Sequence, residues 1–296
     1  MSIAALYDVP APAKINLFLH VVGRRADGYH LLQSVFVLVD WCDVLHFERR
    51  SDGALQRHDL GAALPADDLS LRAAHALQQA SGCALGADLS VLKQVPWGAG
   101  LGGGSSDAAS TLLALNRLWG LNWPRERLQA IAITLGADVP FFVGGHNALV
   151  TGIGEQLHPL PAGILAGQRF AIVKPAPAIA TAAIFGSPLL VRDTEPAIVM
   201  SFLADTQLAA RLSAGHGRND LQPPAEASCP DVTQVARWLE ARFGNSRMSG
   251  SGSAVFARIG ALDLPMATDW LEELPAGWAG RMCRSLDHHP LVDWAS

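Results

Sequence analysis

The sequence lacks any apolar run near the roughly twenty residues that span a bilayer, so a helical membrane protein is excluded. Its first residues show neither the basic stretch nor the hydrophobic core of a signal peptide, and a protein of the reducing cytoplasm is expected. Cysteine is scarce: Cys42, Cys83, Cys229 and Cys283 stand apart. They have neither metal-site spacing nor a disulfide framework, and are expected as core or near-surface thiols. Charged residues make up only 17% of the chain and the net charge is -5. No basic field therefore exists for nucleic acid, and neither nucleic acid nor membrane is expected as a partner. There is no internal repeat or low-complexity tract.

What is present is a glycine run. Gly98 to Ser110 reads Gly-Ala-Gly-Leu-Gly-Gly-Gly-Ser-Ser-Asp-Ala-Ala-Ser, with five glycines in its first seven positions. Glycine removes the Cβ atoms that keep an anion from the backbone and permits positive φ. A strand candidate, Asp88 to Leu92, precedes it, and Ala108 to Leu118 has helical periodicity. The arrangement predicts a phosphate cradle at a helix N-terminus. A flexible linker is the plainer reading, but linkers are seldom wedged between an apolar strand and an Ala/Leu helix. No lysine sits between the glycines and the serine pair, so this is not a Walker A loop. The spacing is not that of a dinucleotide fingerprint either. Positive charge for a nucleotide must come from elsewhere.

With 296 residues, half of them hydrophobic, the chain can bury a large core and is expected to divide into two α+β domains, 1–164 and 165–296. Ala13 to Val22 alternates as a strand, with Lys14, Asn16, Phe18 and His20 on one face and Ile15, Leu17, Leu19 and Val21 on the other. A turn at Arg24 to Gly28 leads to strands at Gln33 to Val39 and Val44 to Glu48. Helices are predicted over Asp68 to Ser81, from an Asn122 cap to Gly136, and over Glu195 to Leu212 with a break near Asp205. Others are expected at Asp231 to Phe243 and Pro265 to Leu274. Further strands fall at Asn147 to Thr151, Phe170 to Val173, Ala254 to Ile259 and Trp278 to Cys283.

Asp138 sits in a stiff corner, Gly136-Ala137-Asp138-Val139-Pro140. It either caps a helix begun by Pro140 or orients and deprotonates an alcohol for phosphoryl transfer. Lys14 is an edge lysine or the missing cation. In Asp27-Gly28-Tyr29-His30, the tyrosine offers a stacking face and the histidine a donor and an acceptor, suited to a nucleobase edge, although a lid over the core would look the same. Met248 to Ala254 is a second glycine-serine loop, either a tight hairpin or a second backbone surface toward phosphates.

Taken together, Pro12 to Leu17, Arg25 to His30, Pro96 to Ala109, Leu135 to Phe142 and Met248 to Phe256 resemble the GHMP kinase superfamily over nearly the whole chain. Within it, Asp27 to His30 and Leu135 to Phe142 are most similar to the branch that phosphorylates the 2-hydroxyl of a methylerythritol bearing cytidine diphosphate, in the non-mevalonate isoprenoid route. The resemblance implies a ribosomal-S5-domain-2-like domain followed by a ferredoxin-like one, with ATP and Mg²⁺ as cofactors. It implies a catalytic Asp138 paired with Lys14, and Asn16 on the methylerythritol. Tyr29 and Phe185 would sandwich cytosine, with His30 on its polar edge. The triphosphate would be wrapped by Gly98, Ala99, Gly100, Leu101, Gly102, Gly103, Gly104, Ser105 and Ser106, with Lys93 and Pro96 near the nucleotide. Magnesium ligands are not assigned. The chain departs from the family at Asp67-Asp68-Leu69, where an acid-Asn-Leu triplet near adenine is usual, and has Gln222 where Glu is usual. A monomer or weak homodimer is expected. The competing readings are a GHMP kinase for mevalonate, homoserine or a sugar, a silent nucleotide-binding protein, and, weakest, an RNA-binding protein.

Overall fold

A computed structural model describes residues 3–66, 68–260 and 269–296. The chain opens with two long antiparallel strands, β1 (Ala5–Arg24) and β2 (His30–Arg50), joined by the Arg25-to-Tyr29 turn. There follow β3 (Leu55–Asp59), α1 (Leu69–Ser81), β4 (Gly86–Leu92), α2 (Gly103–Leu118), α3 (Arg125–Leu135), α4 (Val139–Gly144), β5 (Ala148–Thr151) and β6 (Gln156–Pro159). The strands form one sheet in the order β3-β4-β2-β5-β6, with β1 paired to β2 alone. As an edge strand, β1 tolerates Pro10 and Pro12, which lack the N–H a central strand would need.

The second half contributes β7 (Arg169–Lys174), α5 (Thr181–Phe185), α6 (Val199–Leu203), α7 (Leu208–Ser213), α8 (Gln222–Ser228), α9 (Pro230–Phe243), β8 (Arg247–Met248), β9 (Val255–Ile259), α10 (Asp269–Glu272) and β10 (Ala279–Arg284). Its sheet runs β10-β7-β9-β8. No helix among the described residues is long and apolar enough to cross a membrane.

Alternation along the strands sorts the core into layers. On β2, Phe36 and Leu38 face the helices α1 to α4, meeting Leu112, Leu115, Leu128 and Phe141. Val35, Val37 and Val39 face the other way and join Phe170, Ile172 and Phe256 of the second sheet. The far side of that sheet, Ala171, Val173, Val255 and Ala257, is covered by Val232, Val235 and Leu239 of α9. The central strands of both sheets are thus buried on both faces, whereas the β3-β4 side of the first sheet turns Glu48, Asp88 and His58 toward solvent. Each leucine fully buried in these layers contributes about 1.5–3 kcal/mol relative to exposure.

Several expectations shift. The strands foreseen at Gln33 and Val44 are one continuous β2, and β1 starts well before Ala13. A register irregularity between Asn16 and Leu19 breaks the two-residue alternation. Phe18 therefore leaves the Lys14 and Asn16 side and packs in one cluster with Ile15 and Leu17. Asn122 does not cap α3; it takes a left-handed φ of 51°, and Pro124 precedes the helix instead. Only Val199–Leu203 and Leu208–Ser213 are helical in the Glu195 to Leu212 span. Of the Pro265 to Leu274 helix, Asp269–Glu272 is observed, and 265–268 lie outside the described residues.

Candidate active site

Helix α2 begins inside the glycine run. Gly102 occupies its N-cap at φ 70°, and Gly103, Gly104, Ser105 and Ser106 form the first turn. The first turn thereby combines free amides with minimal side-chain cover. Ala99 and Leu101 are buried in the core between the sheets, so in this loop they offer only backbone to a ligand.

The second glycine loop is the connection between β8 and β9, so the hairpin reading holds, and it also docks against the first. Ser253 and Ala254 N–H groups donate to Gly98 and Ala99 carbonyls at 3.2 and 3.1 Å. The Ser249 hydroxyl donates to Gly100 O at 3.0 Å. At Gly100, with φ 72°, a Cβ would lie 2.1 Å from the Ser249 carbonyl oxygen, so only glycine fits. Asn219 donates to Met248 O and Gly250 O at 2.7 and 2.8 Å and holds the second loop in place.

Strand β1 brings Lys14 to this junction, its backbone N–H bonded to Leu101 O at 2.9 Å. The Lys14 ammonium lies 3.4 Å from Asp138 Oδ2 and donates to Asn16 Oδ1 at 2.7 Å. Beneath it the Phe36 ring centroid is 4.5 Å away. Asn16 Nδ2 donates to the Ser34 hydroxyl at 2.9 Å, which in turn donates to Phe18 O at 2.5 Å. Asp138 stands at the N-cap of α4, yet its side chain makes no capping bond. The carboxylate is therefore committed to Lys14 and the cavity, and the helix-cap account of this residue fails. Ser34 and Phe36 were missed because alternation along a long strand assigns a face but not which stretch of it meets β1.

A cavity of about 1320 Å³ is lined by Lys14, Asn16, Asp138, the glycine run from Gly98 to Gly104, Ser105, Lys93 and Pro96. Tyr29, His30 and Phe185 line it as well. Ser106 lies fully buried instead of facing it. Lys14, Asn16 and Asp138 thus share one space with Tyr29, His30 and Phe185, although the chain separates Asn16 from Phe185 by ten elements.

The chain has three lysines, Lys14, Lys93 and Lys174. Lys93 lines the cavity, but its ammonium bonds Asp107 Oδ2 at 2.5 Å and is also paired with the buried Asp43. Asp43 Oδ1 accepts from Gln94 and Val95 N–H groups at 2.6 and 2.8 Å. Burial opposes the Lys93 charge, but Asp107 and Asp43 outweigh it and raise its pKa. Burial likewise pushes the Asp107 carboxyl upward. This pairing ties β2, the segment after β4 and the start of α2 together. Lys174 donates to the Pro175, Ala176 and Pro177 carbonyls and shapes the loop beside Gly98. Lys14 is left as the lysine that faces the cavity without two carboxylates on it.

Asp68 caps α1 by accepting from Leu71 N–H at 2.8 Å and is ion-paired with Arg57, so its carboxylate has local work; Asp67 lies outside the described residues. Among the described residues no group of three or more His, Cys, Asp or Glu is placed to hold a metal.

The GHMP kinases N terminal domain family matches residues 68–146, and the GHMP kinases C terminal family matches 200–261. A 4-diphosphocytidyl-2-C-methyl-D-erythritol kinase of Methylibium petroleiphilum is 63% identical over 100% of both chains. The chain belongs to the 4-diphosphocytidyl-2-C-methyl-D-erythritol kinase family of GHMP kinases. A family member from Verminephrobacter eiseniae is 58% identical, covering 99% of this chain and 98% of its own. A crystal structure of a 4-(cytidine 5'-diphospho)-2C-methyl-D-erythritol kinase superposes with a TM-score of 0.77 at 35% identity, covering 93% of this chain and 98% of that one. A mevalonate kinase with TM-score 0.69 at 12% identity shares the fold. The family's two-domain α+β architecture is the fold described above.

Proposed function

We propose that this chain transfers the γ-phosphoryl group of ATP to the 2-hydroxyl of 4-diphosphocytidyl-2-C-methyl-D-erythritol, a step toward isoprenoid precursors by the non-mevalonate route. The observation that carries the reading is the Lys14–Asp138 pair, 3.4 Å apart, on the same cavity as the glycine run and the Tyr29, His30 and Phe185 side chains. Relatives that act on this substrate align along the full chain.

In this reading Asp138 holds the substrate hydroxyl and accepts its proton as the oxygen bonds to the γ-phosphorus. The bond from the γ-phosphorus to its bridging oxygen breaks, and ADP leaves. Lys14 and N–H groups of the stretch from Gly98 to Ser105 offset charge on the transferring group, whereas the Ser106 N–H is taken by Gly102 O. Asn16 orients the methylerythritol. Tyr29 and Phe185 hold cytosine and His30 reads its polar edge. Lys93, already paired with two aspartates, and Pro96 shape the nucleotide side. Magnesium supplies charge neutralisation at the phosphates. Asp107 lines the cavity, and its Oδ1 is a buried oxygen without a hydrogen-bond partner, a hard donor that would suit such an ion when phosphate and water complete its shell. We read 1–164 as the nucleotide-binding domain and 165–296 as the domain contributing to substrate binding, in a cytoplasmic monomer or weak homodimer.

The test is ADP release from purified protein with ATP, Mg²⁺ and each alcohol in turn. The cytidine-linked methylerythritol should be preferred strongly over mevalonate, homoserine and sugars. Preference for an alcohol without cytidine would reject the reading.

A further inference from the structure

Arg192 lies in the segment after α5, and neither the glycine run nor the Lys14–Asp138 pair involves it. Its Nε donates to His30 Nε2 at 3.1 Å. Its other donors reach the Leu190, Phe185 and Ser187 carbonyls at 2.9, 3.1 and 2.9 Å. The His30 ring stacks on Phe185 at 5.0 Å between centroids and 29° between planes. The imidazole is thus fixed on one face and at one nitrogen, while its other nitrogen, Nδ1, has no protein partner among the described residues.

Guanidinium nitrogens only donate. An imidazole nitrogen that receives such a bond must be bare, so the neutral ring carries its proton on Nδ1. We infer that Arg192 is a positioning residue for pyrimidine recognition: by occupying His30 Nε2 it presents Nδ1–H as a donor to the unprotonated N3 of cytosine. Uracil carries N3–H at that place, and two donors would face each other, so the same contact rejects a uridine-linked substrate. The inference rests on the cytidine reading proposed above and adds a residue that selects the base.

The neutral state of the ring agrees with its surroundings. Partial burial, then the Arg192 charge, then that of Arg24 hold His30 below the ordinary histidine value. Arg192 comes from the segment after α5, Arg24 from the end of β1, and α5 presents the uncharged Phe185 face.

Because Arg192 also holds three carbonyls, a loss of stability on substitution would not discriminate. The first measurement is therefore made on the wild-type protein: long-range ¹H–¹⁵N correlation of the imidazoles, with His30 assigned by the signal lost in His30→Gln. A proton on Nδ1 is expected, and a proton on Nε2 overturns the inference outright. The second compares Arg192→Ala, Arg192→Lys and wild type with cytidine- and uridine-linked methylerythritol between pH 5 and 8. For Arg192→Ala at pH 8, KM for the cytidine substrate should rise about tenfold and the cytidine-over-uridine preference should fall about tenfold, the scale of one hydrogen bond. KM for ATP and kcat should stay within about twofold, and Arg192→Lys should recover part of the preference. The KM defect should shrink only as the pH falls below the ordinary histidine range, because burial and Arg24 still hold the ring neutral there, and an imidazolium then donates from both nitrogens whatever its neutral tautomer. An Arg192→Ala enzyme with unchanged base preference and a pH-independent defect would make Arg192 a loop brace only and overturn the inference. A wild-type enzyme with no activity on the cytidine substrate would remove the functional reading itself, and with it this role, even with the proton on Nδ1.

Discussion

Lys14 is 4% exposed and Tyr29 61%, although both line the same cavity. Around Lys14 the neighbours are themselves held: Asn16 by Ser34, and the glycine run by backbone bonds to the second loop. Around Tyr29 the scaffold is a turn and the segment after α5, tied mainly through Arg192 and the stacking of His30 on Phe185. A rigid end suits a reaction in which charge must be met at fixed points, and a more open end suits the entry of a flat base. The difference implies that damage at the Lys14 end appears in turnover or in the use of ATP, and damage at the Tyr29 end in affinity for the alcohol substrate.

The sharpest test of that division is Asp138→Ala, which should lower kcat by about 10²- to 10⁴-fold with little change in KM for ATP. Wild-type turnover in this variant would refute the role. Next in size is Gly100→Ala, whose Cβ would meet the Ser249 carbonyl oxygen at 2.1 Å. Separating the two glycine loops should cost about 2–4 kcal/mol and raise KM for ATP. Gly104→Ala, with its nearest neighbour 3.8 Å away, should keep its thermal midpoint, so equal melting of the two variants would contradict the interlocked-loop account.

Acid titrations of the base end need a stability control. Burial, helped by Arg125 and His288, holds the His289 imidazole at about 3. The unfolded chain takes up this proton near the ordinary 6.5, so stability is full above about pH 6.5 and falls as the pH drops toward 3. The loss from this group should be about 2 kcal/mol at pH 5. Denaturant unfolding at pH 7 and 5 measures it. His289→Asn keeps an acceptor for the Leu291 N–H and should flatten that part of the slope. The smallest effect belongs to Tyr29→Ala: about a tenfold rise in KM for the cytidine substrate from lost stacking, at unchanged kcat. A fall in kcat with KM intact would erase the distinction between the ends.

Local chemistry made much of this legible. The glycine run with an Ala/Leu helix behind it announces a loop that opens a helix, and α2 does begin inside it, with Gly102 at the N-cap. Alternation in β1 put Lys14 and Asn16 on one side, since side chains in a strand repeat every second residue. The same rule failed at Phe18, where an irregularity shifts the register, and a bulge leaves no mark in composition.

Other features had no local trace. Asp43, Lys93 and Asp107 are ordinary charged residues in sequence and become one buried cluster only when β2 and α2 pack. Arg192 reaches His30 across 162 positions, and nothing near either residue announces the other. Residue type and spacing decide what a segment can offer: a bare backbone, a carboxylate at a corner, an imidazole after a turn. Which of two nitrogens carries a proton, or which of three lysines is left for the cavity, depends on partners that only packing brings within hydrogen-bond reach, because those interactions fall off within a few ångström while the chain between them runs far.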